Sequence, residues 1–225
     1  PGLAESWTQV DELTWEFKLK QGVTFHDGEA FNAEAVKTSF DRVLDPKVAS
    51  PRAFLYEMVT EVKVIDEATV QFVTEYPFSP LLAHLTHNGG GIISPKAITE
   101  DYAAMTGDTV AGSVIGTNPV GTGPFKFVSW TAGAELKLEK FADYAGTPAN
   151  VDTVTFKVVP EMATRVAELQ SGYAHIIGTV EPAQVANVNS TDGASVLETP
   201  SSSLTYIGFN TEKAPFDNPK VRQAI

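Results

Sequence analysis

The side chains most able to do chemistry here are the four histidines, His26, His84, His87 and His175. His84 and His87 are three apart, a spacing that can place two imidazoles on one helical face and hold a metal. Gly89, Gly90 and Gly91 follow at once, and no Glu-x-x-His or His-Glu-x-x-His pattern supplies further ligands. The pair therefore reads as ordinary surface or partly packed histidine. His26-Asp27 has the composition of an acid–base dyad. It also precedes Gly28 in a tight turn, where an Asp accepts backbone N–H bonds, and that structural role is the preferred reading. Asp and Glu total 28, yet no spacing singles out two of them as a hydrolytic pair. There is no Gly-x-Ser-x-Gly elbow, no phosphate-binding P-loop and no Gly-x-Gly-x-x-Gly. Gly121-Thr122-Gly123-Pro124 is no phosphate cradle, because Pro124 lacks one N–H that such a loop needs. The chain has no cysteine, which removes thiol nucleophiles, Cys-ligated metals and disulfides. The expectation is a protein that is not an enzyme and uses no metal or cofactor.

Aromatic side chains remain as candidates for stacking on a ligand. Trp7, Trp15, Trp130 and Tyr206 are the ones to weigh. Trp15 and Trp130 fall in alternating runs and are expected in the core. Tyr206 sits in Leu204–Phe209, with Thr205, Ile207 and Phe209 on the opposite face of a strand. It offers an apolar body and a polar tip, so ligand-facing and structural roles both stay open.

Those side chains must be held by elements, and the totals allow a real core. The chain has 225 residues, 43 % apolar and 20 % charged, with a net charge of −12. Such acidity argues against nucleic-acid binding, which needs clustered Lys and Arg. No run of eighteen apolar residues is present. Pro1 opens in what reads as a loop and Ile225 closes one turn into what reads as a helix. Both ends are expected to be cut, so a missing signal or lipid anchor carries no weight.

Periodicity predicts the elements. Trp15, Phe17 and Leu19 alternate with Glu16, Lys18 and Lys20 as a half-buried strand. Asn32 caps a helix over 33–44, ended by Asp45-Pro46. Residues 58–74 read as a hairpin turning at Asp66-Glu67-Ala68. Short helices are expected over 77–85 and 95–105, with Asn88–Gly91 as a flexible loop. A second hairpin joins 125–130 to 135–140 across Ala132-Gly133. A strand at 154–158, a helix over 162–169 closed by Gly172, and a helix opened by Pro182 follow. Further strands are expected at 173–177, 195–198 and 204–209, and a last helix after Asn218-Pro219. Strand–helix alternation after Val154 predicts an α/β core beside a separate α+β layer. The stretch Asn118–Phe127 divides the two. Its glycines admit φ > 0, its prolines fix φ, and Phe125, Phe127 and Ser129 then point one way while Lys126, Val128 and Trp130 point the other.

Several stretches carry a resemblance. Leu3-Ala4-Glu5-Ser6-Trp7, the run from Trp15 through Gly28, and Phe31-Asn32-Ala33-Glu34-Ala35-Val36 resemble the family 5 extracellular solute-binding proteins. Asn118-Pro119-Val120-Gly121-Thr122-Gly123-Pro124-Phe125 matches too, as does Phe209-Asn210-Thr211 through Pro215–Ile225. The match runs the full length in the family's order, and the dipeptide and oligopeptide binders look closest.

The resemblance implies a mixed α/β fold of the periplasmic-binding-protein type II class, large cluster, with an inserted subdomain. Residues 1–118 would be that subdomain, 119–204 most of the first lobe's core, and 205–225 the crossing strand and start of the second lobe. It implies a receptor of an ABC importer that captures a short peptide outside the membrane and delivers it to permease subunits. The expected protein is a monomer, periplasmic or lipid-anchored as a lipoprotein, with no nucleic-acid partner. Ligand would select the closed state of two lobes. Gly178 and Thr179 match a loop that lines the cleft in the family, and Thr205 and Tyr206 match another lining segment. Arg52 and Leu55 lie where the inserted subdomain can reach ligand. In some oligopeptide binders an acidic residue falls near Gly208, so its absence here leaves charge preference open. The alternatives are nickel, an opine, a sugar or another solute on the same scaffold, a sensor module of a transcription regulator, and an unrecognised hydrolase.

Overall fold

The alternation at Trp15, Phe17 and Leu19 forms the strand that it predicts. In the computed structural model, which describes residues 2–105, 113–201 and 205–225, this is β2 (Thr14–Leu19). It pairs antiparallel with β1 (Ala4–Gln9) and with β4 (Thr69–Thr74), and β3 (Val59–Asp66) completes a sheet in the order β1-β2-β4-β3. Trp15 lies opposite Phe72 and Phe17 opposite Val70. On the other side Val62 faces Phe72 and Val64 faces Val70. A bulge between Val59 and Glu61 inserts one residue. It lets Val59 and Val62, three apart, both turn into the core.

Helix α1 (Ala33–Leu44) covers the inner face of this sheet. Asn32 caps it as expected, its side chain accepting the Ala35 N–H at 2.9 Å. The N–H of Ala33 donates to Glu67 C=O at 2.9 Å, fixing the helix start on the β3–β4 turn. Phe40 from the helix meets Phe72 of the sheet edge-on at 4.8 Å and Tyr56 at 5.1 Å. Each such buried aromatic contributes on the order of 2–3 kcal/mol by removal from water. Three short helices follow, α2 (Leu81–Leu85), α3 (Pro95–Ala103) and α4 (Ser113–Thr117). Ser94, not anticipated as a cap, accepts the Ala97 N–H and starts α3.

One ion pair joins α1, α3 and α4. Arg42 Nη2 donates to Asp101 Oδ2 at 2.7 Å, and Asp101 is buried. The other oxygen of Asp101 accepts N–H bonds from Val114 at 3.2 Å and Ile115 at 3.4 Å. Beside it the Tyr102 hydroxyl donates to Asp45 Oδ2 at 2.7 Å. Burial, then the Asp45 carboxylate, pushes the Tyr102 phenol up to about 12. The same hydroxyl, with the Lys47 N–H, holds the Asp45 carboxyl below its ordinary range.

The dividing stretch leads into β5 (Phe125–Thr131), which pairs with β6 (Glu135–Lys140), itself paired with β7 (Thr153–Lys157). Two expectations fail here. Neither Gly121 nor Gly123 has positive φ, and a Cβ on either would meet nothing closer than 4.0 Å. The turn therefore does not depend on glycine in the way the sequence suggested. β5 also carries a bulge between Phe127 and Ser129, so Phe127 faces Leu138 while Trp130 faces Leu136. Leu136 and Leu138 share a face, and the bulge thus brings Trp130 round to the side of Phe127. Trp130 is 54 % exposed rather than core.

The chain forms two compact units, Pro1–Val158 and Val159–Ile225. The second holds α5 (Met162–Gln170), α6 (Pro182–Asn189) and α7 (Pro219–Gln223). The strands expected at 173–177, 195–198 and 204–209 are absent among the described residues, and Leu204 lies outside them. A strand needs a ladder partner. Ile176, Leu197 and Ile207 are instead exposed, at 90 %, 88 % and 77 %. Helix and strand together make a mixed α/β protein.

Asp101→Ala should lower unfolding free energy by about 3–5 kcal/mol, because it strands the Arg42 charge in a buried site. Lys37→Ala, which breaks the exposed pair with Asp41, should stay within about 0.5 kcal/mol. Urea melts of both variants check the contrast. Alkaline pH tests Tyr102. An unfolded tyrosine loses its proton near pH ~10, whereas folded Tyr102 keeps it to about 12. That contribution is complete below pH ~10 and is lost as pH rises through the window. Tyr102→Phe should remove this part of the alkaline decline in urea midpoint.

Candidate ligand-binding site

The first unit presents Arg52 and Leu55 on one short 3-10 turn, Ala53–Leu55. Arg52 occupies its N-cap position and is exposed. Leu55 is half-buried and packs against the core. Phe54 between them is 58 % exposed. Sequence reasoning passed over Phe54, since a lone aromatic in a turn carries no periodic signal.

His84 holds this turn in place. Its Nδ1 lies 2.7 Å from Leu55 C=O, and since a carbonyl only accepts, Nδ1 is the donor. Its own C=O accepts the Tyr56 hydroxyl at 3.0 Å. Tyr56 is fully buried, and burial raises its phenol. His84 also stands edge-on to Phe78 at 5.0 Å. His87 caps the next 3-10 turn, Asn88–Gly90, by accepting the Gly89 N–H at Nδ1. The glycine run is therefore an ordered turn rather than a loose loop. Glycine is required there by close approach. A Cβ on Gly89 would lie 2.9 Å from Arg52 Cβ, and one on Gly90 would lie 2.7 Å from Leu85 O. Both imidazoles are thus occupied in packing these two turns. Among the described residues no three His, Asp or Glu side chains gather as metal ligands.

The second unit carries the other four candidates. Gly178 and Thr179 lie in the connection between α5 and α6, and both are exposed. Thr179 has φ of 55°, the left-handed region that a β-branched side chain rarely adopts. Thr205 and Tyr206 lie in the segment that precedes α7, and Tyr206 is 84 % exposed. Beyond it, Phe209 stacks at 5.0 Å on Phe216, and Arg222 Nη1 donates to Phe216 C=O at 2.5 Å. The six candidates thus fall into three neighbouring pairs: two residues on one turn, two in one loop and two in one segment.

A cavity of about 700 Å³ also opens in the first unit. Trp7, Phe17, Leu19, Phe40, Phe72 and Leu82 are among its walls, and no titratable side chain lines it. None of the six candidates borders it. Its chemistry is that of apolar packing on the inner sheet face.

Comparison with known proteins supplies what geometry alone does not. The model of the bacterial extracellular solute-binding proteins, family 5 Middle, matches residues 1–225. The glutathione-binding protein GsiB of Pectobacterium atrosepticum is 38 % identical over 226 residues, covering 99 % of this chain and 42 % of that protein. The oligopeptide-binding protein AppA of Bacillus subtilis, solved with a nonapeptide, superposes with a TM-score of 0.80 at 28 % identity. That match covers 99 % of this chain and 44 % of AppA. MoaA of A. tumefaciens R10, solved with mannopinic acid, superposes with a TM-score of 0.84 at 28 % identity, with the same two coverages. The chain therefore spans less than half the length of these relatives.

Gly90→Ala should destabilise the first unit by about 1–3 kcal/mol, through overpacking against Leu85 and Tyr56. Thr179→Gly should do the opposite and raise stability by up to about 1 kcal/mol, by relieving the left-handed conformation. Thermal melts of the two variants decide both signs.

Proposed function

Because this chain belongs to the bacterial extracellular solute-binding proteins of family 5, we propose that it is part of a receptor for short peptides. The observation that carries this is the 38 % identity to a glutathione-binding protein along 99 % of the chain. Glutathione is itself a peptide, and a second relative was solved with a nonapeptide. The receptor captures its ligand outside the cytoplasmic membrane, as a monomer, and hands it to the permease of an ABC importer. No bond is made or broken, and the ligand acts by favouring the closed arrangement of two lobes. Within that receptor, residues 1–118 are an inserted subdomain, 119–204 belong to the first lobe's core, and 205–225 pass toward the second lobe.

In this reading Gly178, Thr179, Thr205 and Tyr206 line the ligand cleft. Their segments hold no strand ladder among the described residues, and an extended peptide can bind by adding as a strand. Tyr206 supplies an apolar face with a hydroxyl at its edge. Arg52 supplies a guanidinium suited to a peptide carboxylate, the group that charge-assisted bidentate bonds recognise best. Leu55 sets the turn that presents it.

Calorimetry on the full-length receptor tests the proposal, with glutathione, a di- to pentapeptide set and Ni(L-His) as separate titrants. Glutathione or a short peptide should bind with a Kd of about 1 μM or tighter, and Tyr206→Ala should weaken that binding by about tenfold or more. Heat from Ni(L-His) with none from any peptide would overturn the peptide assignment.

A further inference from the structure

Two turns 95 residues apart meet on the ring of His26. The Gly121 N–H points at Nδ1 across 3.4 Å. An N–H only donates, so Nδ1 carries no proton. The Gly123 C=O lies 3.0 Å from Nε2. A carbonyl only accepts, so Nε2 carries the proton. The two neighbours thus define one tautomer, and together they require the neutral ring. His84 differs, because its Nδ1 donates to Leu55 and an imidazolium makes that bond equally well. His87 accepts from Gly89, but only within its own turn.

We propose that His26 is an acid-sensitive latch on the turn that leads into β5. Proton uptake at Nδ1 removes the acceptor for Gly121 and sets two donors facing. The corner then rests on its remaining bonds, from Nε2–H to Gly123 C=O, from His26 N–H to Gly121 C=O and from Ser94 N–H to Val120 C=O. The Nδ1 lone pair that accepts from Gly121 is the one basic site of the neutral ring. The groups that pack on the ring from other elements are Gly121, Gly123 and, edge-on at 4.9 Å, Phe141. None of them titrates, and Lys140 is the charged neighbour of Phe141 in sequence. On its own turn are Asp27 and Glu29. The Asp27 carboxylate is occupied by the Ser94 hydroxyl at 2.6 Å and the Glu29 N–H at 3.2 Å.

The test uses the ¹⁵N-labelled full-length receptor. Side-chain ¹⁵N shifts at pH 7.5 should show His26 protonated at Nε2 and bare at Nδ1. The protection factor of the Gly121 amide should fall about three- to tenfold between pH 7.5 and 5.0, the range expected of one net hydrogen bond. His26→Gln keeps a donor for Gly123 but does not titrate, so its Gly121 protection should not fall over that range. A proton on Nδ1 at pH 7.5, unchanged Gly121 protection in the natural protein, or an equal fall in the variant would each overturn the proposal. Should the variant fail to fold, the tautomer and the natural protein's protection decide alone.

Discussion

The first unit is held closed by a knot of hydrogen bonds between the turn at 25–28 and the turn at 120–124. His26 bonds it twice through its ring and once through its N–H, while Asp27 accepts the Ser94 hydroxyl and Ser94 N–H donates to Val120 C=O. Between these turns the chain builds α1, two strands of the four-stranded sheet and α2 to α4. Closing so long a loop costs conformational entropy, though the cost grows only slowly with length. What makes the closure definite is that one residue serves several partners. Ser94 caps α3, donates its hydroxyl to Asp27 and donates its N–H to Val120 C=O in the returning turn. Gly28, with φ of 87°, shapes the turn so that Asp27 can also bond the Glu29 N–H.

This knot explains why the first unit was so legible in part and opaque in part. The helix over 33–44, its Asn32 cap and the 58–74 hairpin rest on signals within a few residues, and the structure shows them where the pattern put them. Asp27 likewise takes the turn role expected of it. The partners of His26 lie 95 and 97 residues away, and no local pattern can name them. The bulges were equally hidden. A bulge is a property of two paired strands, and the extra residue at Val128 reverses the side on which Trp130 emerges. The glycines of the dividing turn misled for a related reason. Glycine permits positive φ but does not demand it, and the turn here uses backbone partners instead.

The second unit shows the opposite balance. Its helices follow local signals, so α5, closed by Gly172 at φ of 76°, and α6, opened by Pro182, were readable. Its apolar runs at 173–177 and 195–198 have strand composition but no ladder partner among the described residues. Strand formation is decided by what lies alongside, and composition cannot report that. The exposure of Ile176 and Leu197 is the physical trace of that missing ladder.

Of the six candidate ligand residues, only Tyr206 was legible from its chemistry, as an apolar body with a polar tip. The other five were reached through the resemblance to a family. The proposed function accounts for this, because binding without turnover needs no shifted catalytic group. The relatives make the same point from the other side, since one scaffold is named with glutathione, a nonapeptide and mannopinic acid. A frame shared by such different ligands cannot itself encode the choice among them. In the proposed reading, selectivity lies in exposed side chains carried by the frame. The first unit sets buried and exposed side chains on a single turn. Leu55 and Tyr56 are committed to the core and to His84, while Arg52 and Phe54 on the same turn stay exposed.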